Sequence, residues 1–222
     1  MDLIRGIYKI LDSQRFTLKS YGEFLDRISS HKIVPLREMD WTFDPDKVVI
    51  GLKHDIDRDL VAAVRMATIE YKKGIRGTYF VLHTALYYKR KSTIPVLKAI
   101  QDMGFEIGFH NNLQAINFEK YSPDELKHKL RLNEMRDAGI KLFGTSAHGN
   151  GRHGLEGDNL GAWSILPKES LGFIYEAYSL NYNRTYSDCL FTDKRRNHPD
   201  DIDPLEPGDR IMMLFHPQHW KK

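Results

Sequence analysis

The stretch VVIGLKHDIDRD, residues 48–59, runs from apolar residues directly into a histidine and three acids. Its first five residues are typical of a buried β-strand. Burying carboxylates at the end of such a strand is unfavourable unless a cation compensates them. The stretch therefore predicts a strand that leads into a charged site, and Asp55 and Asp57 are the first candidates for chemistry.

Similar apolar runs recur along the chain and alternate with amphipathic helical segments. The predicted strands cover residues 48–52, 78–82, 105–109, 140–146, 172–178, 187–191 and 211–216, and the predicted helices cover 59–74, 92–104 and 122–139. This alternation indicates βαβ units and a parallel sheet. Seven strands without a glycine-rich dinucleotide turn favour a barrel. We expect an α/β barrel over residues 48–222, with a helical lead-in over residues 1–47 packed on it.

Local signals predict where some helices begin and end. The segment 122–139 starts with a capping box between Ser122 and Glu125 and stops at Gly139, which predicts one continuous helix. Ser20 is expected to cap a helix of the lead-in, because it precedes apolar residues at helical spacing.

Composition narrows the functional classes. The 33 basic and 30 acidic residues are too balanced to argue for a nucleic-acid partner. The single Cys189 excludes an intramolecular disulfide and a cysteine-rich zinc site. Because no apolar stretch reaches the length of a signal peptide or a membrane span, we expect a cytoplasmic protein without a transmembrane segment.

Histidines stand at the ends of four predicted strands: His54, His110, His148 and His216. Parallel strands flanked by helices collect functional sites at their carboxyl ends. Four such ends on one rim therefore predict a site there. His54 has the opposite alternation to Asp55 and is expected to pack locally.

Asp57, His110 and His148 supply a carboxylate and two imidazoles, the donor set of a catalytic zinc site with three protein ligands. Asp55 shares the strand face of Asp57 and could act beside it as a general base on water. Two alternatives remain open. Asp57 could cap the following helix, as Asp59 is expected to do, and His148 could be a turn residue.

Several segments resemble motifs of the polysaccharide deacetylase superfamily (NodB homology, carbohydrate esterase family 4), in particular its bacterial branch with an HDxD first motif. VVIGLKHDID (48–57) is similar to the first motif, GIRGTYFVL (74–82) to the strand after it, GFEIGFHNN (104–112) to the second motif and MLFHPQHW (213–220) to the closing L-x-x-H-P motif. The resemblance covers roughly residues 46–220. It implies a distorted (β/α)7 barrel and one divalent metal ion, usually zinc.

The resemblance also implies a role for each matched residue. Asp55 matches the catalytic base, Asp57 the metal-binding aspartate, His110 the first metal-binding histidine and His216 the general acid. The implied reaction is metal-dependent removal of an N-acetyl (or O-acetyl) group from a sugar or glycoconjugate.

Two positions depart from the motifs of that family. The second motif usually has another histidine four residues after the first, but this chain has Gln114. His148 is the candidate for the second imidazole. The third-motif arginine that usually pairs with the base is also unmatched, and Arg58 or Arg152 is the candidate substitute.

Other polar and aromatic residues are candidates for contact with the sugar, because aromatic faces pack on pyranose rings. We expect Tyr79, Asn111, His153 and Trp220 to bind substrate, beside the glycine-rich loop 149–161. Two other functions suit the same barrel. One is hydrolysis of a non-sugar amide. The other is a catalytically inactive carbohydrate-binding or assembly module, which the two departures favour.

Overall fold

The computed structural model of the chain describes residues 16–40, 42, 44–149, 159–188 and 202–220. Its strands are β1 (Lys32–Val34), β2 (Val49–Ile56), β3 (Thr78–Leu82), β4 (Glu106–Asn111), β5 (Leu142–Ala147), β6 (Tyr175–Glu176), β7 (Arg184–Ser187) and β8 (Arg210–Phe215). They form one parallel sheet in the order β6-β5-β4-β3-β2-β8-β7, and β1 pairs with the beginning of β2. All carboxyl ends therefore lie along one edge.

The helices cover the outer face of this sheet. They are α1 (Leu18–Ile28), α2 (Leu60–Lys72), α3 (Thr93–Asp102), α4 (Pro123–Lys129), α5 (Leu132–Asp137) and the single turn α6 (Ala162–Ile165). Short 3-10 turns lie at Leu36–Glu38, Leu113–Ile116, Phe118–Lys120, Lys168–Leu171, Ala177–Ser179 and Pro217–His219. A curved parallel sheet with helices outside it confirms the predicted distorted (β/α)7 barrel.

Residues of the lead-in contribute to the same architecture. Strand β1 pairs in register with β2, with Ile33 opposite Ile50. Helix α1 packs Tyr21 against Phe215 of β8, with ring centroids 5.3 Å apart. The segment before β2 thus supplies a strand as well as the predicted helix.

The cap of α1 differs from the prediction. Thr17 is the N-cap, and Ser20 completes a reciprocal capping box as the third helical residue. The helix therefore begins one turn earlier than expected. The prediction for α2 is confirmed, because Asp59 Oδ1 accepts a hydrogen bond of 3.0 Å from the backbone N–H of Ala62.

The segment 122–139 forms two helices instead of one continuous helix. Its predicted capping box is present at Ser122, but Arg131 adopts a φ of 56° between α4 and α5. Leu130 and Leu132 flank this break and both are buried. In a continuous helix, two side chains two positions apart point about 200° apart around the axis, so the break lets both reach the core.

Strand boundaries also moved relative to the predictions. β2 continues through Ile56, so Lys53, His54 and Asp55 lie inside the strand and Asp57 follows it. β6 is only two residues long. β7 begins at Arg184, before the predicted segment 187–191, whose last three residues lie outside the described part of the chain.

Aromatic rings fill the concave face of the sheet, and two glycines make room for them. A Cβ atom on Gly108 would lie 2.3 Å from the ring of Phe80, and one on Gly144 would lie 2.0 Å from the ring of Tyr175. Both rings lie in a buried cluster on this face. Because this aromatic layer fills the concave face, polar groups are expected at the carboxyl ends of the strands. None of the helices in the described ranges has the length and apolarity needed to cross a bilayer.

Candidate active site

Strand β2 brings three charged residues to the carboxyl edge of the sheet. Lys53 and Asp55 are two residues apart and share its concave face. Asp57 follows directly after the last residue of the strand. The backbone N–H of Asp57 donates to the carbonyl oxygen of Asp55 over 3.1 Å, which marks the turn out of the strand. All eight strand residues are buried, so these charges need partners inside the protein.

Lys53 is the partner of Asp55. Its Nζ lies 2.5 Å from Asp55 Oδ2, and the two side chains are only 0% and 3% exposed. The ammonium group also lies over the rings of Phe80 and Tyr178, at 5.4 and 4.9 Å from their centroids. A buried lysine held on both sides in this way keeps its charge beside the carboxylate.

The ionisation of both groups follows from this environment. Burial alone would lower the pKa of Lys53, but the charge of Asp55 outweighs it and the pKa is raised. Burial would raise the pKa of Asp55, whereas His110 and Lys53 lower it more strongly, so the net shift is downward. Asp55 is therefore a carboxylate at neutral pH, and its Oδ1 accepts no hydrogen bond from the described residues.

Asp57, His110 and His148 come together as the sequence predicted. One ligand atom from each lies within 4.8 Å of the others. Asp57 Oδ1 is 3.4 Å from His110 Nε2 and 3.9 Å from His148 Nε2. Ligand atoms of a tetrahedral zinc site lie about 3.4 Å apart when the metal–ligand bonds are near 2.0–2.1 Å. The spacing of this cluster suits such an ion.

The hydrogen bonds around the cluster leave His110 Nε2 and Asp57 Oδ1 as the atoms that can bind an ion. His110 Nδ1 lies 2.8 Å from the carbonyl oxygen of Ser146, and a carbonyl only accepts, so Nδ1 carries the proton and Nε2 presents its lone pair. Gln218 Nε2 donates to Asp57 Oδ2 over 3.1 Å. Asp57 Oδ1 is buried and accepts no hydrogen bond from the described residues. These residues therefore fit a divalent ion.

The same positive surroundings hold Asp57 ionised. Burial would raise its pKa, but the surrounding imidazoles of His110, His216 and His148 lower it well below the usual range. A carboxylate in this state is the form that a metal requires.

His216 faces the cluster from the end of β8. Its Nδ1 lies 2.6 Å from Asp188 Oδ1, and its Nε2 is 3.8 Å from Asp57 Oδ2. Asp188 also accepts hydrogen bonds from the backbone N–H of His216 and from Trp220 Nε1. A buried carboxylate at Nδ1 fixes the ring and favours a proton on the imidazole.

A second group of possible ligands consists of Asp188, His216 and His219. Asp188 is completely buried. Its two oxygens already receive the His216 ring, a backbone N–H and the Trp220 indole. The hydrogen bonds therefore make this group an aspartate–imidazole pair.

The two motif departures have different outcomes. Gln114 lies in the 3-10 turn after β4, where its backbone N–H donates to Asn159 Oδ1 over 3.0 Å. His148 instead brings the second imidazole to Asp57. Arg58 is exposed and Arg152 lies outside the described residues, whereas the cation that contacts Asp55 is Lys53.

Most of the expected sugar contacts are corrected by burial. Tyr79 is fully buried, stacks on His54 and donates its hydroxyl hydrogen to Glu70. Trp220 is 3% exposed and packs against Phe16. These side chains are part of the core on the helix side of the sheet.

Asn111 is buried as well, between two strands. Its Nδ2 donates to Thr145 Oγ1 over 3.4 Å. Because successive residues of a strand point to opposite faces, Asn111 lies on the other face of β4 from His110. His153 lies outside the described residues, as does most of the loop 149–161. The local packing expected of His54 is present, with Nε2 2.9 Å from Glu70 Oε1.

Lys53 and Asp188 also belong to the site but were not predicted from the sequence. Lys53 could have been recognised, since a lysine two positions before Asp55 shares its strand face. Asp188 could not, because its partner His216 lies on another strand. Asn159 and Gln218 were also missed for this reason, since both meet the site only through the folded chain.

Comparison with known proteins bears on the architecture. A CE4 esterase from Streptococcus mutans aligns with a TM-score of 0.53 at 11% identity, covering 87% of this chain and 84% of that one. A family 4 carbohydrate esterase from Bacillus anthracis aligns with a TM-score of 0.46 at 16% identity, covering 88% of this chain and 76% of that one. A CE4 family pseudoenzyme from Bacillus anthracis aligns with a TM-score of 0.47 at 20% identity, covering 78% of this chain and 56% of that one.

No protein-family model and no curated protein matches the chain. The structural likeness therefore concerns the course of the backbone. On the match to the Streptococcus mutans esterase, the chain has the fold of the family 4 carbohydrate esterases.

Proposed function

We propose that the protein is a metal-dependent hydrolase that removes an N-acetyl (or O-acetyl) group from a sugar or glycoconjugate. One observation carries the proposal. A buried carboxylate, Asp55, whose Oδ1 accepts no hydrogen bond from the described residues, lies beside a cluster that fits a divalent ion, and an imidazole paired with aspartate faces the same cluster. A base, a cation site and an acid on one rim are the parts that amide hydrolysis needs.

The metal site consists of Asp57, His110 and His148, and we propose Zn²⁺ as its ion. One carboxylate and two imidazoles suit zinc better than the all-oxygen sites of Mg²⁺ or Ca²⁺. When bound, a divalent ion acidifies water and polarises a carbonyl oxygen. The proton transfers and the positioning belong to the residues of the chain.

Asp55 acts as the general base. Its Oδ1 accepts a proton from water as the water oxygen attacks the acetyl carbon. Lys53 holds Oδ2, which also lies 3.4 Å from His110 Nε2, so Oδ1 is the oxygen that accepts no hydrogen bond from the described residues. Because the pKa of Asp55 is lowered, the ionised form that accepts the proton is present at neutral pH.

His216 acts as the general acid. Its Nε2 faces the cluster and delivers a proton to the amine nitrogen as the C–N bond breaks, since an unprotonated amine anion is a very poor leaving group. Asp188 holds Nδ1–H and stabilises the protonated ring before the transfer. The products are acetate and the free amine.

Acetate release from a panel of N-acetylhexosamine derivatives, with Zn²⁺ supplied, tests the proposal. Asp55→Asn and His216→Ala should each lower kcat at least about 10²-fold, because each removes one proton transfer. Asp124→Asn and His128→Ala are matched controls at exposed positions and should keep full activity.

The outcomes separate the proposal from other functions of the barrel. Full activity in both site variants would mean that the assigned residues are wrong. Hydrolysis of non-sugar amides without release from any acetylated sugar would replace the substrate class. Tight sugar binding with no turnover and no metal would indicate a binding module.

A further inference from the structure

We infer that Asn159 is a positioning residue that holds His148 in the metal site. His148 there supplies the second imidazole, which the chain lacks at Gln114. The inference rests on the proposed metal site, and it adds a residue that the sequence gave no reason to consider. It depends on one fully buried amide side chain and its hydrogen bonds.

Asn159 is 0% exposed although its side chain is polar. Its Oδ1 accepts a 3.0 Å hydrogen bond from the backbone N–H of Gln114. Its Nδ2 donates to the carbonyl oxygen of His148 over 2.9 Å and to Asn112 Oδ1 over 3.1 Å. One side chain thus joins the segment after β4 to the segment after β5.

The backbone of His148 is fixed on both sides by these contacts. Its N–H donates to the carbonyl oxygen of Asn111 over 2.8 Å, and its carbonyl accepts from Asn159. The imidazole then lies with its centroid 5.0 Å from that of His110, at an interplanar angle of 79°. A ring at the end of a strand, with its peptide held at both polar groups, needs little reorganisation to act as a ligand.

The network also extends to a third strand end. The backbone N–H of Asn112 donates to His83 Nε2 over 2.9 Å, and Asn112 Nδ2 contacts Thr84 Oγ1 at 3.4 Å. The ends of β3, β4 and β5 are therefore connected through Asn112 and Asn159. Removal of Asn159 would take away the hydrogen bond that holds the carbonyl oxygen of His148 to this frame.

The chemistry requires an amide at position 159. Nδ2 donates to two oxygens, and Oδ1 accepts from one N–H. An aspartate of the same shape keeps the acceptor but places a charged oxygen against the carbonyl of His148. Asn159→Asp is therefore the sharpest variant, since it preserves size and removes both donated bonds.

Calorimetric titration of Zn²⁺ into the full chain tests the inference without measuring activity. Asn159→Asp and Asn159→Ala should each bind Zn²⁺ about 10–100-fold more weakly, as expected for loss of an outer partner of a ligand. Asn133→Ala, at an exposed position of α5, should bind as the wild type does. Thermal unfolding of the metal-free variants shows whether they remain folded.

A double-mutant cycle with His148→Ala distinguishes positioning from a general loss of structure. If Asn159 acts through His148, replacing it should have no further effect on Zn²⁺ affinity once His148 is alanine. Equal weakening in both backgrounds, unchanged affinity in the single variants, or no Zn²⁺ binding by the wild type would overturn the inference.

The result is separable from the proposed function. A wild type that binds Zn²⁺ but releases no acetate contradicts the proposed reaction while the cycle still decides the role of Asn159. A wild type that releases acetate, with affinity unaffected by Asn159→Asp, contradicts the inference alone.

Discussion

Lys53 and Asp55 form an ion pair inside strand β2, two residues apart, with Nζ 2.5 Å from Oδ2 and almost no exposure of either side chain. The cation that compensates Asp55 therefore comes from the same strand. This placement makes the pair independent of the loops around the site, and the shared oxygen Oδ2 also lies 3.4 Å from His110 Nε2 in the cluster formed by Asp57, His110 and His148.

Lys53→Met should destabilise the protein by about 3–5 kcal/mol, because it leaves a buried carboxylate without its partner. The free energy of unfolding, from urea titration, measures this loss. The double variant Lys53→Met, Asp55→Asn should recover most of it, since no charge then remains uncompensated. An unchanged stability in the single variant would mean that the pair does not exist in solution.

The same substitution should change the pH dependence of hydrolysis. Lys53 helps to lower the pKa of Asp55, so its removal raises that pKa and the base becomes protonated at a higher pH. The acid-side limb of the kcat/KM profile should therefore move to higher pH in Lys53→Met. Lys53→Arg keeps the charge, and its limb should stay close to that of the wild type.

Asp188→Asn should lower kcat by about 10²–10⁴-fold, because an amide no longer stabilises the protonated imidazole of His216. The carboxylate of Asp188 is in contact with that ring and not with Asp57, so Zn²⁺ affinity should stay unchanged. Trp220→Phe removes the indole hydrogen bond to Asp188 and part of the packing against Phe16, and it is the control for lost packing. A fall in Zn²⁺ affinity as large as the fall in kcat would contradict the assignment.

His83 should make stability depend on pH. Burial lowers the pKa of His83 from 6.5 to about 3, and the neutral ring accepts a hydrogen bond at Nε2 from the backbone N–H of Asn112. Between pH 6.5 and pH 3, the unfolded chain therefore binds a proton at His83 that the folded chain does not bind. The free energy of unfolding falls as pH drops from 6.5 toward 3. The slope from this group is at most about 1.4 kcal/mol per pH unit.

His83→Gln should flatten that slope, because glutamine does not titrate. Urea unfolding of both proteins at several pH values between about 7 and 4 gives the comparison. His128→Ala, at an exposed histidine, should leave the slope as it is. Parallel curves for the wild type and His83→Gln would show that His83 is protonated normally.

Gly108→Ala should destabilise the barrel by about 1–3 kcal/mol, because the added methyl group meets the ring of Phe80 inside a packed layer. Gly74→Ala is a useful contrast. Its Cβ would meet nothing within 4 Å, but φ is +73°, so we expect a loss of about 1–2 kcal/mol from the backbone alone. Gly108→Ala combined with Phe80→Leu should recover stability only if the ring is the obstacle.

Periodicity was enough to predict the parallel sheet and the meeting of Asp57, His110 and His148. Strand ends in such a sheet share one edge, so residues far apart in sequence can be placed together without knowing their contacts. The cap at Asp59 was predictable for a similar reason, since a capping side chain interacts only with the next few residues.

The faces of the strands were harder to predict. Strands of a parallel sheet are buried on both sides and lack the alternation that marks an inner face. Tyr79 was therefore expected to bind substrate although it lies in the core, and Lys53 was overlooked on the face that carries Asp55. Contacts such as Asp188 with His216 need a three-dimensional structure, because no local spacing connects their two segments.

The pairing of β2 with β8 has a consequence for the order of folding. Asp57 and Gln218, which touch across the rim, are 161 residues apart in the chain. Contacts of this range form slowly, because the intervening chain must be ordered first. Helices and neighbouring strands can assemble early during synthesis, but His216 cannot face Asp57 until β8 docks beside β2. The proposed site should therefore be one of the last parts of a newly made molecule to form.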